Sequence, residues 1–169
     1  MAREKPVSAY VDGLLYVAGG WLDSGATTTR LEVYDPATNS WSTGPRMPKG
    51  YAGSGVAVLD GKIYVIDGCT SGCGVTDAQV FDPTSGSWSA AAAYPESTSW
   101  LGCDSVNGTL YCAGGINDSG TSKHAYAYNP ATTAGRPSPI CLSICGPAAS
   151  PQVPAGCCCP AVSPMGSTR

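Results

Sequence analysis

The sequence predicts an all-β fold, and three observations lead there. A segment of about 47 residues recurs along the chain. Each copy carries an Asx-Gly dipeptide between two β-branched, apolar runs, which is the signature of a tight hairpin. No stretch shows the apolar spacing of an amphipathic helix. The fold class is therefore all-β, with about three four-stranded units followed by an irregular C-terminal tail.

The first unit, about residues 7–50, opens with "YVDGLLYVAGG". Asp12-Gly13 supplies the turn, because both residues tolerate positive φ. The glycine doublet Gly19-Gly20 lets the chain bend sharply after the second strand. "EVYDPATNSWS" then supplies a third strand, an Asx-Pro turn and a fourth strand carrying Trp41. The second unit, about 51–97, repeats this as "VLDGKIYVIDG" and "QVFDPTSGSWS", with Asp67-Gly68 in place of the doublet. The third, about 98–133, has "SVNGTLYCAGG", ending in Gly114-Gly115, and then "YAYNPATTAGR". Tyr34, Phe81 and Tyr128 are 47 apart, as are Trp41 and Trp88.

The doublet, the aromatic residue and the Trp seven positions later resemble the kelch repeat, over about residues 7–133. The resemblance implies a partial kelch-type β-propeller, with four-stranded blades around a central axis. It also implies that Tyr34, Trp41, Phe81, Trp88 and Tyr128 pack within and between blades rather than touch a ligand.

The segment 134–169 breaks the pattern. A fourth Trp is due at 135 and a fourth doublet at 161 and 162, but the chain reads "AGRPSPICLSICG" and later "CCCPAV". Shifted by one base, the codons of this segment permit "WSAVADLPVDLWAGG" and "GLLLSGGVTDG", with Trp and Gly-Gly in the expected register. The tail, Pro/Ala/Cys-rich, reads either as an out-of-frame fourth repeat or as a genuine low-complexity segment expected to be disordered. On the out-of-frame reading its cysteines, Cys141, Cys145, Cys157, Cys158 and Cys159, have no selected role.

Four cysteines lie inside the repeats. Cys103 and Cys112 flank the Asn107-Gly108 turn symmetrically, at a non-hydrogen-bonded pair where Cα atoms approach within about 4.5 Å. That spacing suits a cross-strand disulfide, or else two core thiols where the second unit has Val56 and Val65. Cys69 and Cys73 sit in the Gly/Ser-rich "GCTSGCG" and suit a small disulfide ring. Zinc is the weaker reading, since a structural site needs four ligands and His124 is the single histidine. Two disulfides would place the parent protein outside the cytoplasm, although "MAREKPVSAYVDG" has no apolar signal core.

Composition narrows the function. The net charge of −3 and the 12% of charged residues give no electrostatic basis for nucleic-acid binding. No apolar run is long enough to insert in a membrane. No nucleophile-histidine motif, phosphate loop or cofactor signature is present, and some kelch enzymes use copper sites that need several imidazoles. The expectation is a non-catalytic binding or scaffold module, without cofactor, in a larger exported protein. Its ligand would be a protein or a carbohydrate. The alternative is an accessory propeller of a secreted hydrolase or carbohydrate-active enzyme, because the pattern also resembles kelch arrays of large secreted bacterial proteins, some with subtilisin-like peptidase domains. The loops after the doublets differ between units, and variable loops on a repeated scaffold carry recognition. They offer Trp21, Asp23, Asp77, Asn117, Asp118 and His124 as binding-loop residues. Trp21 and Trp100 are read either as exposed ligand contacts or as inter-blade packing. Incomplete blade stacks leave apolar faces open, so the isolated chain is expected to self-associate.

Overall fold

A computed structural model describes residues 2–130, and every described element is a β-strand. The out-of-frame tail reading and its five cysteines lie outside the described residues. The first sheet runs β1 (Val7–Val11), β2 (Leu14–Ala18), β3 (Leu31–Asp35), β4 (Ser40–Thr43), in chain order and antiparallel throughout. The second repeats this with β5 (Gly55–Leu59), β6 (Lys62–Ile66), β7 (Ala78–Asp82) and β8 (Ser87–Ala91). The third pairs β9 (Gly102–Val106), β10 (Thr109–Ala113) and β13 (Ala125–Tyr128). The stretch one repeat after β8, where the sequence pattern calls for a fourth strand, lies outside the described residues. A short hairpin, β11 (Ile116–Asn117) with β12 (Gly120–Thr121), stands where sequence predicts only a loop. Asp118-Ser119 makes its turn, with Asn117 Oδ1 accepting the Ser119 N–H at 2.9 Å.

The Asx-Gly turns adopt the predicted conformation. Asp12, Asp60 and Asn107 have φ of 49°, 51° and 50°, and the following glycines are also positive. In each sheet the register runs outward from this turn without a slip. The sheets meet chiefly through their first strands, β1 against β5 and β5 against β9, which puts those strands innermost.

Strand alternation then decides which residues fill each seam between sheets. Val7, Ala9, Val11 and Tyr16 of the first sheet pack with Ile63, Val65 and Phe81 of the second. Ala57, Ile66 and Ala78 of the second pack with Leu110, Cys112 and Tyr128 of the third. One correction to the aromatic reading follows. Phe81 and Tyr128 are buried as predicted, but Trp41 is 59% exposed. It stacks on Tyr34 with ring centroids 5.0 Å apart, on the side of the first sheet that faces no other described sheet. Its counterpart Trp88 stacks on Phe81 in the same way and donates its indole N–H to the Pro45 carbonyl of the preceding unit at 3.0 Å.

Two backbone links recur at each seam. Gly20 N–H donates to the Tyr51 carbonyl at 2.7 Å, and Gly68 N–H to the Thr98 carbonyl at 3.2 Å. Nearer the axis, Gly53 N–H donates to the Lys5 carbonyl at 3.1 Å, and Trp100 N–H to the Gly53 carbonyl at 2.6 Å. The second glycine of the doublet is needed sterically. A Cβ on Gly20, Gly68 or Gly115 would lie 2.8, 3.0 and 2.5 Å from the carbonyl oxygens of Glu4, Ala52 and Ser99, in that order.

Candidate functional site

The antiparallel order sends the β2–β3, β6–β7 and β10–β13 connections, together with the links between sheets, to one end of the molecule. Trp21 and Trp100 come together there, ring centroids 6.4 Å apart and planes tilted by 55°. Trp21 is half-buried, and its backbone is pinned to Glu4 by two hydrogen bonds of 2.8 Å. Trp100 is 42% exposed. It occupies the position held by Lys5 and Gly53 in the earlier units, and all three have positive φ, at 50°, 63° and 55°. The scaffold thus imposes a left-handed backbone at this site, which only glycine meets without strain. Gly53 also makes room for the indole, since a Cβ there would sit 2.7 Å from Trp100 Nε1. Both sequence readings of these tryptophans are therefore partly met: they pack across units and still present indole surface to solvent.

Beside Trp21 lies an open cleft of about 560 Å³ lined by Glu4, Trp21, Leu22, Asp23 and Gly25. Its far wall is a turn closed by Leu22 N–H to Ala26 carbonyl at 2.9 Å and Gly25 N–H to Leu22 carbonyl at 2.8 Å. Asp23 is exposed on that turn, and Asp118 is exposed on the third loop.

The other loop residues named from sequence are held by partners. Asp77 accepts from Lys49 Nζ at 2.5 Å and from the Tyr51 hydroxyl at 2.8 Å. These two bonds hold its carboxyl below the ordinary range. Glu96 gathers Asn117, Ser122 and His124, whose Nδ1 lies 3.0 Å from Glu96 Oε2. Burial acts to raise the Glu96 carboxyl, but those three hydrogen bonds outweigh it and hold the group low. Lys49 and Glu96 are 47 residues apart, and so are Asp77 and His124. The two pairs are one structural link with its acidic and basic partners exchanged, tying the segment before an inner strand to the start of a third strand.

Sequence reasoning missed three features. Arg3, with its side chain 5% exposed, donates to the Gly19, Arg30 and Val17 carbonyls and pairs with Glu32. No repeat marks it, because Tyr51 and Thr98 stand at the matching positions. Glu96 was missed for the same reason. Asp67 was legible as a departure from the glycine doublet. It is fully buried and accepts the N–H groups of Gly68 at 2.8 Å and Thr98 at 2.6 Å. Burial drives its carboxyl up to about 7 against those two bonds.

The cysteine pairs sit at bonding distance, with S–S 2.11 Å for Cys69–Cys73 and 2.03 Å for Cys103–Cys112. Cys103 and Cys112 are direct cross-strand partners, as Val56 and Val65 are in the second sheet. A buried Cys69 and an exposed Cys73 close the second loop into a small ring.

Comparison with known proteins agrees with this geometry. The kelch motif matches residues 3–48, 50–93 and 101–133. The chain is 36% identical over 73 residues to the F-box/kelch-repeat protein At2g29600 of Arabidopsis thaliana, covering 40% of this chain and 17% of that protein. It is 43% identical over 70 residues to Kelch-like protein 15 of Danio rerio, covering 36% and 11%. It is 38% identical over 72 residues to the N-acetylneuraminate epimerase of Pasteurella multocida, covering 39% and 19%. In each case the match spans less than a fifth of the relative's length. The solved structure of YjhT superposes with a TM-score of 0.63 at 21% identity, over 82% of this chain and 54% of that one, a likeness of fold alone. Two four-stranded and one three-stranded antiparallel units joined through their inner strands, with the motif matched three times, establish that the chain belongs to the kelch-repeat family and forms part of a β-propeller.

Proposed function

We propose that this chain is a non-catalytic recognition module of a larger exported protein, and that it binds a glycan on its loop end around Trp21 and Trp100. The observation that carries the reading is the tilted indole pair, built from two different units and left partly open to solvent. Aromatic faces stack on the C–H faces of pyranose rings, and a flanking carboxylate accepts hydroxyl hydrogen bonds. The non-catalytic part is supported by the repeat equivalence of Glu96–His124 with Lys49–Asp77, which accounts for the single histidine as a scaffold link. The exported setting is supported by the two cysteine pairs, since such bonds persist outside reducing compartments.

A second reading, an accessory propeller of a carbohydrate-active enzyme, draws on the relatives named N-acetylneuraminate epimerase. A glycan array probed with the wild-type chain, Trp100→Ala and His124→Ala separates the two. Binding lost in Trp100→Ala and kept in His124→Ala supports recognition. Turnover of a bound glycan that disappears in His124→Ala supports the enzyme.

A further inference from the structure

We infer that the Trp21 cleft selects glycans bearing free, positively charged amino groups over acetylated or anionic ones, a step that rests on the glycan reading above. The lining of the cleft sets two carboxylate residues, Glu4 and Asp23, beside the Trp21 indole. Among the described residues neither carboxylate joins an ion pair. Nothing that lines the cleft supplies a compensating cation. Of the two cations adjacent in sequence to Glu4, Arg3 is nearly buried and spent on Glu32 and three carbonyls, and Lys5 is exposed and does not line the cleft. The result is an aromatic surface beside two negative charges, which favours an ammonium twice over: the ring face attracts a cation through its quadrupole, and each carboxylate accepts a charge-assisted hydrogen bond.

The backbone that carries both carboxylates is fixed by hydrogen bonds. Glu4 is held against Trp21 by paired backbone bonds, so its side chain leaves the backbone beside the indole. Asp23 stands on a turn closed by its own two backbone bonds. An anionic sugar would meet like charge in the cleft. This separates the chain from a ligand preference borrowed from its relatives, since N-acetylneuraminate is itself a carboxylate.

The test uses the full 169-residue chain and three probes: a tetramer of β-1,4-linked glucosamine, its fully N-acetylated counterpart, and sialyllactose. Affinities are read by tryptophan fluorescence and calorimetry at low and high salt. The glucosamine tetramer is expected to bind about 10-fold tighter than the acetylated one, and to lose that advantage in high salt. Glu4→Gln with Asp23→Asn should bring the two affinities together, and Trp100→Ala should abolish binding of both, with circular dichroism confirming the fold. Equal binding of the two tetramers by the wild type overturns the inference and leaves the glycan reading standing. A preference for free amines that survives in the Gln/Asn double variant overturns the assignment to this cleft. Failure of every glycan to bind overturns the glycan reading itself.

Discussion

Trp100 shows at the scale of one residue how a scaffold constraint and a recognition surface share a position. The left-handed backbone there costs a non-glycine residue about 1 kcal/mol or more, and Gly53 shows what the position takes when nothing else is required. Trp100→Gly should therefore leave thermal stability within about 1 kcal/mol of wild type, because relief of backbone strain offsets lost packing. The same change should eliminate glycan binding; a melting curve and a titration on one sample test the separation. Asp67 gives the second prediction. Its carboxyl is raised by burial to about 7, above the roughly 3.9 of an unfolded Asp. The folded chain thus binds more protons than the unfolded one between about pH 4 and 7. Its contribution is intact below that window and falls as pH rises through it. Asp77 and Glu96, held low, act oppositely, and what they contribute is lost as pH falls through their own lower range. Melting temperatures across pH 4 to 8 should decline less steeply in Asp67→Gly, which restores the glycine of the other two units; an unchanged slope would show that Asp67 does not set the trend. Asp67 was visible in sequence as a broken doublet. Its burial was not, because a register cannot report which carbonyls and N–H groups the next unit brings alongside.

At the scale of elements, the sequence was most informative where the period repeats and silent where it does not. Turns, strand register and the Cys103–Cys112 pairing could all be read from Asn107-Gly108 and its counterparts. The Glu96 cluster could not, because Lys49 at the matching position has the opposite charge, and the reversal shows only when Asp77 and His124 are seen as partners. The cluster ties β11 and the residues after β12 to the connection between β8 and β9, so removing it should loosen that hairpin alone. Glu96→Ala is expected to speed amide exchange of residues 114–124 by about 10-fold, with the second unit unaffected, in hydrogen-exchange mass spectrometry. The disulfide carries a different weight. Closing a loop of about ten residues constrains the unfolded chain by about 2 to 3 kcal/mol. Reduction should cost that much and also leave two thiols. Cys103→Val with Cys112→Val should cost less, since the Val56–Val65 pair shows that the same site packs with aliphatic side chains.

At the scale of the molecule, the seams decide what stays exposed. Tyr16, Tyr64 and Tyr111 share one position in successive units. Tyr16 is 8% exposed because the second sheet covers it, whereas Tyr111 is 38% exposed, on the side of the third sheet away from the second. Tyr10 and Trp41 are open on the other flank. We expect these two apolar flanks to bring chains together. Tyr10→Lys with Tyr111→Lys should lower the sedimentation coefficient at high concentration without altering the β-sheet circular dichroism. If the sedimentation coefficient stays the same, association through these flanks is ruled out. The aromatic pattern alone placed Trp41 in the core because a repeat pattern treats every copy as an interior one.

The paired backbone links at each seam have a consequence for how such a protein is altered. Each unit offers its successor the same carbonyls and the same amides, whatever its loops contain. Splicing in an extra copy of residues 51–97 should therefore dock at both new junctions without redesign, and the loop end would gain one more interchangeable slot for binding residues.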